Sequence, residues 1–332
     1  MQTISVVTPC FNEEDNIEEC YRTIRMLFEK ELPQYRREHI FCDNASTDRT
    51  VEMLRAIAAA DPDVKVILNA RNVGPLRSTY NGVLATSGDA VVLFMPADLQ
   101  DPPELIPQMV RYWEQGNEIV YGVRATRAEG LIMRSLRKLY YRLISSTSTI
   151  KVPPDVGDFQ LVSRRIIEAM RRVEDAYPYM RIMTFEAGGD AVGISYHWRA
   201  RRRGLSKNSF LHLLDQGLNG LVTFTAAPMR LALYFGFLIS LISLLYAVAT
   251  FVLALVFYGR LAEPGILTLI TALFFFGGVQ LFFLGLLGEY IIAIYGQVRR
   301  KPMVVERERI NFSATDPDNR EDEPRKDTHA AS

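Results

Sequence analysis

Cysteine is scarce: the 332 residues hold three, Cys10, Cys20 and Cys42. An odd number without C-x-x-C spacing argues against a disulfide framework or a thiolate metal centre and leaves free thiols in a reducing compartment. Net charge is also missing, with 38 Lys and Arg against 38 Asp and Glu, and no nucleic-acid partner is expected. Neither G-x-G-x-x-G nor G-x-x-x-x-G-K-[ST] follows any strand pattern, which removes support for dinucleotide and P-loop folds. The N-terminus carries no signal-peptide pattern, because strand-like residues 4–7 begin almost at once.

The zero net charge hides a segregation. Residues 1–120 have an acidic excess of eight, 121–230 a basic excess of nine, and the remainder an acidic excess of one. A basic middle beside an apolar end suggests contact with lipid headgroups or phosphate. Two runs contain no charged residue, 28 positions at 231–258 and 22 at 266–287. Each is long enough to cross a hydrocarbon core of about 30 Å as a helix, and the turn between them is short. They read as a transmembrane hairpin. Arg230 before the first run and Arg299, Arg300, Lys301, Arg307 and Arg309 after the second place both hairpin ends in the cytoplasm, together with the N-terminal domain and both termini of a multi-pass protein of the cytoplasmic membrane. Glu289 sits near the cytoplasmic end of the second run.

Residues 1–122 alternate strand and helix patterns with short connections, which predicts a mostly parallel sheet with helices on both faces. Strands are expected at 4–9, 39–42, 64–68, 90–95 and 119–121, and helices at 16–28, 48–60, 75–86 and 103–115. Ligands of such sheets bind at the carboxyl ends of the strands, and polar residues collect there. After the first strand come Pro9, Phe11, Asn12 and Glu13, where Phe11 suits a base. Asp43 ends the second strand and suits a nucleobase N–H. Arg71, Asn72 and Gly74 follow the third, with Gly74 permitting close approach and Arg71 meeting phosphate. Each set alone also serves as an ordinary turn or cap.

The fourth strand runs into Met-Pro-Ala-Asp-Leu-Gln-Asp-Pro-Pro-Glu, residues 95–104. Asp98 and Gln100 offer the hard oxygen ligands that Mg²⁺ or Mn²⁺ prefers, and a metal there would hold a diphosphate. Asp101-Pro-Pro-Glu104 reads as a helix start, with Asp101 as N-cap, Pro102 at the first helical position and Glu104 closing a capping box.

These residues, in the order Thr-Pro-Cys-Phe-Asn-Glu, Asp-Asn-Ala-Ser-Thr-Asp, Arg-Asn-Val-Gly and Ala-Asp-Leu-Gln-Asp-Pro-Pro-Glu, resemble the family-2 glycosyltransferases of GT-A (Rossmann-like) fold. The resemblance continues through Gly-Asp-Phe-Gln-Leu at 157–161, Arg-Gly-Leu-Ser-Lys at 203–207, Gly-Val-Gln at 278–280 and Leu-Gly-Glu-Tyr at 287–290. These later motifs point to the polyprenyl-phosphate branch, such as bactoprenol glucosyltransferases and dolichyl-phosphate mannose synthases. The resemblance implies inverting transfer of a hexose from a UDP-sugar, UDP-glucose foremost, to a polyprenyl (undecaprenyl) phosphate, with Mg²⁺ or Mn²⁺. It places Pro9, Phe11, Asn12, Glu13, Asp43, Arg71, Asn72, Gly74, Ala97 and Asp98 around the nucleotide sugar, and Asp158 nearest the sugar or acceptor phosphate. Arg124 and Arg134 would line the acceptor side, and Arg199, Arg203, Ser206 and Lys207 would contact phosphates of the donor or the lipid acceptor. A homo-oligomer, a tetramer among the options, is expected.

Three positions depart from the family pattern. Pro96 stands where most relatives have the first acid of Asp-Ala-Asp, Gln160 where Arg is frequent, and Asn208 where Tyr often follows Ser-Lys. A missing carboxylate leaves more of the metal's coordination to water and diphosphate. The rival readings are a non-catalytic binder of lipid phosphate or nucleotide sugar, supported by Pro96, and a transferase with another acceptor.

The expected organisation is a cytoplasmic catalytic domain at 1–205, juxtamembrane amphipathic helices at 206–230, two spans at about 231–258 and 266–290, and a cytoplasmic tail at 296–332, disordered from about 313. Residues 131–144 and 210–224 pattern as basic amphipathic helices that lie along a membrane surface or pack on the protein's own sheet. His197 and His212 are read as structural.

Overall fold

The computed structural model describes residues 1–124, 153, 156–173, 178–197, 199, eight helical positions between 234 and 245, 265–298 and 302–313. The chain divides into two compact units. One comprises Met1–Gly130, Ile150–Lys207 and Lys301–Ser332; the other comprises Leu131–Thr149 and Asn208–Arg300.

The first unit is built on an eight-stranded sheet. Its elements run β1 (Thr3–Cys10), α1 (Ile17–Glu31), β2 (Arg36–Asp43), α2 (Thr50–Ala60), β3 (Val64–Asn69), α3 (Pro75–Leu84) and β4 (Ala90–Val92). A single 3₁₀ turn (Pro103–Leu105) then leads into α4 (Ile106–Glu114), β5 (Ile119–Arg124), β6 (Val156–Ser163), α5 (Arg164–Arg171), α6 (Met180–Glu186), β7 (Ala191–Tyr196) and, far downstream, β8 (Glu306–Ile310).

The apolar runs form strands because they are covered on both faces. Ile4, Val6, Val7, Ile40, Phe41, Val66 and Ile67 are all 0% exposed, and each such side chain contributes roughly 1.5–3 kcal/mol. One core joins this sheet to α1 and α4, with Ile17, Ile24, Ile106 and Met109 inside it. The core on the other face takes Tyr80 and Val83 of α3, Ile166 and Met170 of α5, and Met183 of α6. Pro75 opens α3 after Gly74, whose φ of 86° lies in the left-handed region that glycine accepts without strain.

The strand order is β7-β5-β6-β4-β1-β2-β3-β8. The pairs of β1 with β2 and β4, of β2 with β3 and of β5 with β7 are parallel, and the pairs of β6 with β4 and β5 and of β3 with β8 are antiparallel. The expected mostly parallel sheet is therefore a mixed one. Sequence reading assigned five of these strands and passed over β6, β7 and β8, so it missed that β6 separates β4 from β5. The expected strand at 90–95 is regular only over Ala90–Val92; beyond it, Leu93 N still donates to Gln160 O and Met95 N to Val7 O at 2.9 Å each.

The segment read as a polar tail carries β8, which lies along β3 with Glu308 paired to Arg55 and Asn311 Nδ2 donating to Ala58 O at 2.7 Å. The expected amphipathic helices at 131–144 and 210–224, the tail beyond 313, and Arg134, Arg203, Ser206, Lys207 and His212 lie outside the described residues.

In the second unit the principal described element is α7 (Gly265–Val298), 34 residues whose one charged residue is Glu289. At 1.5 Å per residue it is about 50 Å long. Leu269, Leu273, Leu281, Ile291 and Ile292 are all more than half exposed along it. Among the described residues no helix meets the combined length and apolarity of a membrane span, and several α7 side chains lie outside those residues. The first expected span is described at only eight positions, all helical.

Candidate active site

The carboxyl ends of β1, β2 and β3 meet in register, with Cys10 opposite Asp43 and Asp43 opposite Leu68. The loops that leave them are bonded to one another. Asn12 adopts φ 54°, which lets its N–H donate to Ser46 Oγ at 2.9 Å while its Oδ1 accepts from Thr47 N at 2.8 Å. Glu13 N donates to Thr50 Oγ1 at 2.9 Å. Asn44, one residue past Asp43, donates to Asn72 Oδ1 and accepts from Val73 N, each at 2.9 Å, and Asn72 Oδ1 also accepts from Gly74 N at 2.9 Å. The loops after β1 and β3 are thus tied to the loop after β2.

Asp43 sits at the floor of this rim, fully buried. Its Oδ2 accepts from Ser46 N at 3.1 Å, while its Oδ1 has no hydrogen-bond partner among the described residues. Burial raises its carboxyl pKa, against the hydrogen bonds from Ser46 and Ala45 that lower it. A buried carboxylate oxygen without a donor carries a desolvation penalty of about 1–3 kcal/mol until something donates to it, so the site is chemically suited to a ring N–H. Pro9 and Phe11 are half-buried nearby in sequence, and Arg71 is exposed beyond β3.

The acidic loop follows β4. Ala97 is buried and Asp98 half-buried. Leu99 takes φ 53° as its N–H turns back to Pro96 O at 3.0 Å, and Gln100 N donates to Asp98 Oδ1 at 3.3 Å. Gln100 is sewn to Arg199 on both sides, its O accepting from Arg199 N at 3.0 Å and its Nε2 donating to Arg199 O at 3.4 Å. A cleft of about 100 Å³ opens beside Asp98, between Asn16 and Glu19 of the α1 start and Arg199. Among the described residues no group of three or more His, Cys, Asp or Glu could hold a metal; the pair nominated from the sequence, Asp98 and Gln100, supplies one carboxylate and one amide.

Asp101 is not a helix cap. No side chain caps the turn at Pro103 or α4. Asp101 is instead buried, accepting from Tyr196 Oη and from Arg124 Nη2 at 3.3 Å, and so joins the loop to β5 and β7. Burial raises its carboxyl pKa against the attraction of Arg124. Gly122 makes this possible, because a Cβ there would lie 2.6 Å from the Tyr196 ring. Glu104 does not close a capping box either; it pairs with Arg199 at 3.3 Å.

Asp158 lies on β6 two residues before Gln160, whose O accepts from Leu93 N, and because β6 runs antiparallel to β4 it stands beside the acidic loop. Both its oxygens are held by Arg181 of α6, Nε to Oδ1 at 3.1 Å and Nη2 to Oδ2 at 2.5 Å. Gln160 is buried and fixes the same helix: its Nε2 donates to Gly157 O at 3.0 Å and its Oε1 accepts from Thr184 Oγ1 at 2.9 Å.

Of the residues the sequence nominated, Pro9, Phe11, Asn12, Glu13, Asp43, Arg71, Asn72 and Gly74 belong to the ends of β1 to β3 or the loops that follow them. Asp98, Gln100, Arg199, Asp158 and Arg124 belong to the second half of the edge. Sequence reasoning missed Asn44 and Ser46 as loop ties, although both lie in a motif it had marked. It also missed Tyr196 and Arg181, which carry no local signal: their partners are 95 and 23 residues away.

Comparison with known proteins matches residues 5–171 to the model of Glycosyl transferase family 2 and residues 227–294 to the GtrB C-terminal hairpin. A Bacillus subtilis (strain 168) protein named uncharacterized glycosyltransferase YkcC is 34% identical over 91% of the chain and 92% of its own length. The SfII prophage-derived bactoprenol glucosyl transferase of Shigella flexneri is 34% identical over 91% of the chain and 96% of its own length. The bactoprenol glucosyl transferase of Shigella phage SfV is likewise 34% identical, over 91% and 97%.

Proposed function

The chain belongs to glycosyl transferase family 2, and on that premise we propose that it moves a hexose from a nucleotide sugar, UDP-glucose foremost, onto a polyprenyl phosphate at the cytoplasmic face of a membrane. The observation that carries this reading is the likeness to proteins named bactoprenol glucosyl transferase, which takes in 91% of the chain, with the apolar hairpin matched separately at 227–294.

In this reading the tied loops after β1, β2 and β3 hold the nucleotide. Asp43 accepts from the base, Phe11 faces it, and Pro9, Asn12, Glu13, Asn72 and Gly74 shape the rim while Arg71 meets phosphate. One carboxylate and one amide, Asp98 and Gln100, fit a cation that keeps water and phosphate oxygens as its remaining ligands, as Mg²⁺ or Mn²⁺ does. Such an ion supplies charge neutralisation to the departing diphosphate, and the missing acid at Pro96 makes its site lean rather than absent.

The acceptor needs no strong base. The second pKa of a phosphate monoester is about 6, so the dianion predominates at neutral pH and displaces the nucleotide in one inverting step. Asp158 accordingly does not take a proton. Its carboxylate holds Arg181 in a bidentate pair and thereby fixes a guanidinium beside the acidic loop, a planar fork suited to phosphate. Arg124, Arg134, Arg199, Arg203, Ser206 and Lys207 complete the acceptor side.

The membrane reading rests on the two uncharged runs of the sequence. Arg230 before the first run and Arg299, Arg300 and Lys301 after the second support a hairpin with both ends on the cytoplasmic side. The juxtamembrane segment at 206–230 then lies along the headgroups, and a homo-oligomer is the expected assembly.

The test is incubation of full-length protein with UDP- or GDP-sugars, Mg²⁺ or Mn²⁺, and undecaprenyl phosphate. A metal-dependent sugar–lipid supports the enzyme. No product with any donor, together with undiminished lipid binding after Asp98→Ala, overturns it in favour of a binding protein, and a soluble labelled product points to another acceptor.

A further inference from the structure

The sequence treats Arg307 as one of several positive charges that follow the second apolar run, but the fold gives it a different setting. β8 pairs with β3 so that Glu308 opposes Leu68 and Glu306 opposes Asn69. Arg307 is the extra residue between them, a β-bulge. Bulges recur beside active sites because they break the alternation of a strand and re-aim one side chain.

The neighbours of Arg307 register that break. Glu306 accepts from Asn81 of α3 at 2.5 Å and pairs with Arg309, whereas Glu308 pairs with Arg55 of α2, on the opposite face. Arg307 itself is exposed and makes no hydrogen bond or ion pair among the described residues. The bulge lies level with the end of β3, where Leu68 opposes Asp43 of β2, so Arg307 and Asp43 stand two strand spacings apart, about 10 Å between backbones. The segment is fixed there, because Ala70 N, next to Arg71, donates to Val305 O at 2.9 Å.

We propose that Arg307 is a base-reading residue of the donor site, donating from its guanidinium to the ring carbonyl next to the N–H that Asp43 accepts. This rests on the nucleotide-sugar reading above. Two observations meet in it: the buried Oδ1 of Asp43 that has no donor among the described residues, and an exposed cation on a bulge level with the same strand ends. The positive charge of Arg307 also lowers the Asp43 carboxyl pKa, against the rise caused by burial.

The chemistry suits a base with an imide or lactam edge. There a ring N–H lies beside a carbonyl, so a carboxylate that takes the N–H presses its second oxygen toward carbonyl lone pairs. A guanidinium on that carbonyl offsets the repulsion and adds a charge-assisted hydrogen bond. A base with an unprotonated ring nitrogen at this position, such as cytosine, would set that lone pair against the Asp43 carboxylate and bind more weakly.

The test is calorimetric titration of the full-length protein in detergent with UDP and uridine, and in parallel with GDP and guanosine. For the pair the parent protein binds, Arg307→Ala is expected to weaken nucleoside and diphosphate by the same factor, about tenfold, with an unchanged melting temperature because the side chain is exposed. Unchanged affinity overturns the proposal, and so does a loss confined to the diphosphate, which would make Arg307 a phosphate contact. Asp43→Ala separates the two layers of the argument. If it weakens both ligands while Arg307→Ala does not, the donor site stands and this inference falls; if it weakens neither, or the parent binds neither pair, the donor reading fails and takes the inference with it.

Discussion

The two halves of the catalytic edge are held in different ways. At the ends of β1, β2 and β3 most ties are neutral: Asn12, Asn44, Ser46, Thr50 and Asn72 bond loop to loop, with the Glu14–Arg49 pair as a charged exception, and one buried carboxylate oxygen has no donor among the described residues. Around β5, β6 and β7 the ties are charged: Asp158 with Arg181, Asp101 with Arg124, and Glu104 with Arg199. The first half is preorganised for a ligand that brings a hydrogen-bond donor. The second holds cations in place with carboxylates, which keeps them oriented and lets an arriving phosphate dianion share them.

The comparison can be broken from the charged side first. Asp98→Ala removes the carboxylate of the Asp98–Gln100 pair and is expected to lower kcat/KM about 10²–10³-fold and to raise the Mn²⁺ concentration needed for half-maximal rate; an unchanged Mn²⁺ dependence would place the metal elsewhere. Arg181→Ala and Asp158→Asn should each cost about 10²-fold, the scale of a misplaced reactive group. The double variant should cost little more than either, since the two act as one unit. In Asp158→Asn the rate should still rise with pH through about 6, the phosphate's own ionisation; loss of that limb would make Asp158 a base.

On the neutral side the effects are smaller. Asn44→Ala leaves Val73 N without its acceptor and removes the amide tie to Asn72, and is expected to destabilise the protein by about 1–3 kcal/mol, measured as a lower melting temperature together with weaker nucleotide binding. Unaltered nucleotide affinity would show that the loop ties do not organise the donor site. The smallest effect concerns pH. Burial raises the Asp43 pKa in the free protein, and only the ionised carboxylate has both oxygens available as acceptors. Affinity for UDP should therefore fall as pH drops through that raised value, beginning at a higher pH than an ordinary aspartate would give. A flat titration from neutral to mildly acidic pH would contradict this.

The loops after β1, β2 and β3 were legible in the sequence because each follows its own strand and carries its own polar motif. Local order there matches chain order. Asp101 was misread for the opposite reason: Asp-Pro-Pro-Glu satisfies every local rule of a helix start, yet Arg124 and Tyr196 arrive from β5 and β7 to take the carboxylate. A buried ion pair with a second hydrogen bond outweighs a cap worth about 1 kcal/mol. β8 escaped notice because Glu-Arg-Glu-Arg-Ile looks like a solvated tail, and charged side chains are what an edge strand uses to discourage further pairing. Arg181 had no signal at all; its role exists only through Asp158.

The most direct measurement is the anomeric configuration of the product formed from UDP-α-glucose and undecaprenyl phosphate, read by NMR of the purified lipid. A phosphate that attacks once, without a covalent enzyme intermediate, predicts a β-linked glucosyl phosphate. An α-linked product, or no lipid-linked product from any nucleotide sugar, would contradict the account.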